Sequence, residues 1–219
     1  MKRYFPVVLL SIFLLAACQA APASPAVHTP PAGQSLQVLF QDDFSNPRSG
    51  WDTMHEDDAT IAYEDGHYRI WLNYPHTTIW GNPNLHFADV RVEVDALKAG
   101  GPDNNQFGVL CRYQNADNFY FFIISSDGYY GIGKSKNGED TLLTGNGNMV
   151  FSPDIPQGHA GVHVRADCKG EDLTLFVNGQ RLVSARDADF AEGDVGLIVG
   201  TFDQPGADII FDNFAVYQP

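Results

Sequence analysis

The chain has 219 residues, a formal charge of −14 and 44% hydrophobic side chains. That is enough apolar material for one sizeable core. A surface this acidic argues against nucleic acid as a partner, because phosphate binding rewards Lys and Arg.

Lys2 and Arg3 give a basic start. Val7 to Ala17 is apolar apart from Ser11. That stretch is too short for a helix crossing a hydrocarbon core of about 30 Å. Leu15-Ala16-Ala17-Cys18 follows, and this pattern resembles a bacterial lipoprotein signal with its lipobox. The resemblance implies residues 1–17 as a cleaved signal peptide and Cys18 as the lipidated N-terminus. It implies a membrane partner through the lipid anchor and an extracytoplasmic location, at the cell surface or outer membrane. The alternative is an ordinary cleaved signal with an incidental cysteine. Residues 18–35 contain Pro22, Pro25, Pro30 and Pro31 among small residues and read as a tether. Its reach is about 50 Å if polyproline-like. Without Lys2 and Arg3 the charge moves from −14 to −16.

Residues 36–219 read as one all-β domain. Four dipeptides punctuate it as hairpin turns: Asp65-Gly66, Asp127-Gly128, Asn137-Gly138 and Asn178-Gly179. Val90 to Ala96 alternates, with valines on one face and Arg91, Glu93 and Asp95 on the other. Phe107, Val109, Cys111 and Tyr113 are expected to share a face, as are Val162, Val164, Ala166 and Cys168. Phe119 to Ile124 is continuously apolar, which predicts a strand covered on both sides. Once Cys18 is assigned, Cys111 and Cys168 remain as an even pair on inward faces. A disulfide is expected, with a reduced buried pair as the alternative.

Several segments resemble the concanavalin A-like, laminin G-like jelly-roll superfamily. They include Phe40-Gln-Asp-Asp-Phe-Ser-Asn46 with Gly50-Trp51, and Phe107-Gly-Val-Leu-Cys-Arg-Tyr113. Asn118-Phe-Tyr120, Leu175-Phe-Val-Asn-Gly179 and Phe211-Asp-Asn-Phe214 extend the likeness over nearly the whole domain. The resemblance implies a sandwich of two stacked antiparallel sheets. It does not select a function, because such domains bind glycans, hydrolyse them or act as structural modules.

The first expectation is lectin-like binding of a polysaccharide or glycan. Trp71 should share an outward face with Arg69 and Asn73, offering a ring to stack on with polar groups beside it. Trp80 follows in the next loop, and Arg112 is placed opposite Cys111. The competing reading makes Trp71 structural, under a loop. The second expectation, implied by the resemblance, is a structural Ca²⁺ at Asp43 and Asp212, where the first and last strands would meet. Turn chemistry at strand ends is the alternative. The third is a glycoside hydrolase using Glu93 and Asp95. Its carboxylate set is incomplete, because Leu97 and Lys98 follow, and a solvated outer face explains the pair more simply. A structural or protein-interaction module of the envelope is the remaining alternative. His159 and His163 are expected on one strand face, without a third metal ligand. No phosphate loop, nucleophile elbow or zinc pattern occurs.

Overall fold

A computed structural model describes residues 36–219. The segments read as signal peptide and tether, with Cys18, lie outside the described residues.

Sixteen strands build the domain: β1 (Val38–Asp42), β2 (Met54–Glu56), β3 (Ala59–Glu64), β4 (His67–Leu72), β5 (Thr78–Gly81), β6 (Val90–Gly100), β7 (Asn105–Asn115), β8 (Asn118–Ile124), β9 (Tyr129–Lys136), β10 (Glu139–Leu142), β11 (Val150–Phe151), β12 (Val162–Lys169), β13 (Asp172–Val177), β14 (Gln180–Arg186), β15 (Asp194–Thr201) and β16 (Ala207–Tyr217). They pair into a nine-stranded sheet, ordered β14-β13-β12-β6-β16-β4-β3-β2 with β1 also on β16, and a seven-stranded sheet, ordered β10-β9-β8-β7-β15-β5 with β11 on β9. The pairings are antiparallel, so the fold is a two-sheet jelly-roll sandwich.

Alternation decides which residues enter the core. Val90, Val92 and Val94 of β6 are buried, while Arg91, Glu93 and Asp95 between them are only partly covered. Facing them, Phe107, Val109 and Cys111 of β7 and Tyr120, Phe122 and Ile124 of β8 complete the interior. Cys111 and Cys168 are bonded, joining β7 of one sheet to β12 of the other. The pair closes a loop with a sequence separation of 57. Such a loop is worth about 4 kcal/mol in a chain-entropy account.

Three of the four expected turns are two-residue hairpins with both residues at positive φ: Asp65-Gly66, Asn137-Gly138 and Asn178-Gly179. Asp127-Gly128 differs. Four residues separate β8 from β9 there, and only Gly128 has positive φ. Ser125 makes the difference, because its Oγ bonds the Asp127 carboxylate and accepts from the Tyr129 N–H (2.9 Å).

Near one end, Asp42 accepts bonds from the Phe44 N–H (2.8 Å) and Trp51 Nε1 (3.0 Å). This holds an aromatic knot of Phe44, Trp51, Tyr68 and Phe214. The side chains of Asp42, Phe44 and Trp51 are thus built into the packed interior.

One expectation of alternation is corrected. Tyr113 does not share the face of Cys111. Arg112 takes φ of 54°. The register of β7 slips there against both neighbours, as at a bulge, so Tyr113 turns outward onto Trp80 and Phe119.

Candidate functional site

The outer face of the seven-stranded sheet is apolar where solvent would favour polar groups. Leu110, Phe119, Phe121, Ile123 and Ile198 form a second buried cluster there, separate from the sandwich core. They come from the outward positions of β7, β8 and β15. The adjoining outward positions on β9 and β15 are Gly131, Gly133, Gly196 and Gly200. Neighbouring side chains lie down over these glycines, Leu142 over Gly131 and Phe121 over Gly133, which keeps this part of the surface low and forms a trough.

The trough is a groove of about 940 Å³. Its floor is Phe119, Phe121, Ile123 and Ile198. One wall is Leu142 of β10 with Met149, and the other is Trp80 of β5 with Phe202. It follows the direction of β8, roughly 20 Å at ~3.3 Å per residue. Asp117 and Asp140 stand at one end, Asp127 and Tyr129 at the other. The rings of Trp80 and Phe119 lie 5.1 Å apart. Tyr129 is exposed at the mouth and meets the exposed Phe151 edge-on at 5.6 Å. Amide and hydroxyl groups of Gln106, Thr78, Asn148 and Ser135 border the apolar surface. The groove therefore offers the partly exposed ring of Trp80 above the nearly buried rings of Phe119 and Phe121, flanked by hydrogen-bonding groups. Its floor carries no pair of carboxylates among the described residues.

The residues expected to form a sugar site do not assemble in one place. Trp80 lines this groove. Arg69, Trp71 and Asn73 lie on β4 or just past it, on the outer face of the nine-stranded sheet. The two tryptophans are thus on opposite sides of the sandwich, because Tyr68, Ile70 and Leu72 take the inward positions of β4. Trp71 stands between Thr60 and Asp208 on the neighbouring strands. Arg69 is committed to its own sheet. Its Nε and Nη2 fork onto Asp208 at 2.8 Å each, and Nη1 reaches Glu64 at 2.8 Å. Forked, charge-assisted bonds of this kind are strong. They hold the pKa of Arg69 above the ordinary guanidinium value. Asn73 donates to Asp58 (2.8 Å).

Arg112 is a correction. It is 2% exposed and lines no surface. Its guanidinium donates to the Phe190 carbonyl (2.8 Å) and to Asp89 (3.1 Å). The bulge that turns Tyr113 outward is the same one that carries Arg112 inward.

Glu93 and Asp95 lie on the outer face of the nine-stranded sheet, across the sandwich from the groove. Asp95 accepts from Asn213 Nδ2 (2.9 Å) and pairs with His163 Nδ1 (2.7 Å); Glu93 is 3.6 Å from His163 Nε2. A smaller hollow of about 500 Å³ contains Asp95, His163 and Asp212 but not Trp71. His159 does not share a strand with His163. It precedes β12 and bonds the Lys98 carbonyl (2.9 Å).

The two expected calcium ligands are each engaged locally. The Asp43 carboxylate accepts from the Ser45 N–H (3.1 Å) and Oγ (2.7 Å), which holds its pKa below the ordinary value. Asp212 accepts from the Asn213 N–H (2.7 Å) and faces His67 Nδ1 at 3.6 Å. Among the described residues no group of three or more His, Cys, Asp or Glu side chains is placed to hold a metal ion. The pair alone does not approach the six to eight oxygens that Ca²⁺ takes.

The sequence does not mark the floor residues Phe119, Phe121 and Ile123 as site residues, because an apolar run shows burial without showing what covers it. The available signal was glycine at the outward positions of the strands that pair beside them.

No protein-family model matches the chain, and no curated protein matches it. Solved structures do. The carbohydrate binding module CBM66 from Bacillus subtilis aligns with a TM-score of 0.62 at 18% identity, covering 77% of this chain and 96% of that one. A Bacillus subtilis protein of unknown function with a galectin-like fold gives 0.63 at 12% identity, covering 83% and 96%. A Bacillus licheniformis beta-glucanase gives 0.59 at 12% identity, covering 85% and 100%. At these identities the likeness establishes the concanavalin A-like jelly-roll fold.

Proposed function

We propose that the domain binds a glycan chain in the groove on the outer face of the seven-stranded sheet and does not cleave it. The observation that carries this reading is the composition of the groove: an aromatic and aliphatic floor between Trp80 and Leu142, bordered by amides and hydroxyls. A pyranose ring has an apolar face and a hydroxyl rim, so it matches both parts. Sandwich neighbours of the same fold include a carbohydrate binding module and a beta-glucanase, which supports a carbohydrate ligand. Binding without hydrolysis is favoured because glycosidases set two carboxylates about 5–9.5 Å apart across the scissile bond. The strands flooring this groove place aromatic and aliphatic side chains there; the lining carboxylates Asp117, Asp140 and Asp127 stand at its ends, and Glu93 and Asp95 face away from it.

The proposed setting is outside the cytoplasm, with the chain held at a membrane through lipidated Cys18. The Cys111–Cys168 bond supports an oxidising compartment. Labelling with palmitate tests the anchor: label should enter the parent chain and be absent from Cys18→Ala.

The test of function is a glycan array with the purified chain, followed by assay of any bound polysaccharide for new reducing ends. Binding without new ends is the expected result. New reducing ends abolished by a groove carboxylate variant would establish a hydrolase instead. Absence of binding to every glycan would leave a structural or protein-interaction module.

A further inference from the structure

We infer that the groove selects uncharged glycan chains and rejects polyanionic ones; this rests on the glycan reading above. Among the described residues, those lining it include the carboxylates of Asp117, Asp127 and Asp140 and no Lys or Arg. The one lining side chain that can carry positive charge, His76, faces Asp203 at 3.3 Å. Asp127 accepts from Ser125 Oγ. Asp117 and Asp140 have no hydrogen-bond or ion-pair partner for their carboxylates among the described residues, so their charge stands uncompensated at one end of the groove.

The two lysines of β9 are directed elsewhere. On β9, Gly131, Gly133 and Ser135 face the groove, whereas Lys134 and Lys136 point to the other side. Lys134 bonds both Asp187 and Asp189, and Lys136 bonds Asp189 (2.7 Å). Strand alternation thus removes two cations from the groove and leaves the acids. Every Asp and Glu of the chain lies beyond Gln34, so the background field of the domain has the same sign. A uronate or sulfated chain would bring anions against uncompensated carboxylates with no basic group to receive them. An uncharged chain presents hydroxyl donors, which Asp117 and Asp140 can accept.

The test compares polymers of one backbone. The purified full chain is titrated with soluble xylan, cellulose and β-1,3-glucan fragments and with their carboxymethyl derivatives, at low and at high NaCl (about 20 and about 500 mM). The expected result is binding of at least one uncharged polymer and about tenfold or weaker binding of its carboxymethyl form at low salt. High salt should narrow the gap, since the screening length shrinks. The double variant Asp117→Asn, Asp140→Asn, checked for an unchanged melting temperature, should recover binding of the carboxymethyl polymer at low salt. Equal or tighter binding of the carboxymethyl form by the parent chain would overturn the inference and leave the glycan reading standing. Weak binding that the double variant does not relieve would overturn the role given to these two carboxylates. If no polymer of either kind binds, the glycan reading falls and the inference with it.

Discussion

The ring of Phe121 lies over the backbone of Gly133 on the adjacent strand. A Cβ at Gly133 would come within 2.3 Å of the ring Cζ and 2.8 Å of the Thr141 carbonyl. The groove floor exists at its present depth because that position carries no side chain.

Gly133→Ala is therefore expected to destabilise the domain by about 1–3 kcal/mol, the usual range for overpacking a filled site. Chemical denaturation should show a lower midpoint with an unchanged slope. Weaker glycan binding should accompany it, because the displaced ring rises into the groove.

Trp80 and Trp71 separate two candidate faces. Trp80→Ala should raise Kd for a bound glycan by roughly tenfold, corresponding to about 1–2 kcal/mol of lost stacking. Trp71→Ala should leave Kd within about twofold, well under about 1 kcal/mol. Calorimetric titration of both variants decides between the faces. The opposite pattern would place the ligand on the nine-stranded sheet.

Arg112 is structural, and its removal should show in stability. Arg112→Ala leaves the Phe190 carbonyl without its donor and Asp89 without its ion-pair partner. A loss of about 2–4 kcal/mol is expected, read as a lowered melting temperature. Arg112→Lys should recover only part of it, since an ammonium cannot span both acceptors in the guanidinium geometry.

Replacing both Cys111 and Cys168 with Ala removes the link between the sheets. The expected loss is about 4 kcal/mol, and reduction of the parent chain should approach the same value.

Asp194 predicts a pH dependence. Burial pushes its carboxyl up from 3.8 to about 6, against hydrogen bonds from the Val195, Leu85 and Asn84 N–H groups that pull it down. The folded chain therefore holds this proton more tightly than the unfolded chain. Its contribution to stability is fully present below about pH 4 and is lost as pH rises through about 6. Asp194→Asn should remove that part of the slope, seen as a smaller fall in melting temperature between about pH 4 and 7 than in the parent. Asp187 acts in the opposite sense. Burial raises its pKa, but bonds from Lys134 and Tyr120 outweigh this and hold it below the ordinary value, so its contribution is lost as pH falls.

Much of the fold is legible in the sequence. The period-two valines of β6 and β12 and three Asn-Gly or Asp-Gly turns identify antiparallel hairpins by local rules. The Cys111–Cys168 bond is expected once both residues are placed inward, although a reduced buried pair fits the sequence too, and the structure has the bond. The site is less legible. Trp71 looks like a binding residue because it sits between Arg69 and Asn73 on its strand, but those two are spent on Asp208, Glu64 and Asp58 of neighbouring chain segments. Alternation along β7 predicts Tyr113 inward and Arg112 outward. A single positive φ at Arg112 reverses both.

The sequence alone determined the inward and outward faces of β4, β6 and β12, because side-chain direction in a strand alternates with a period set by local backbone geometry. It also determined three of the four expected hairpins, because Asn-Gly and Asp-Gly accept the positive φ that a two-residue turn requires. Only the tertiary structure decided which outward faces lie together. Trp80, Phe121 and Leu142 meet across the order β10-β9-β8-β7-β15-β5, in which β15 joins strands distant in sequence. A groove depends on that order and on the absence of side chains at Gly131 and Gly133, and both are properties of paired strands rather than of any one segment.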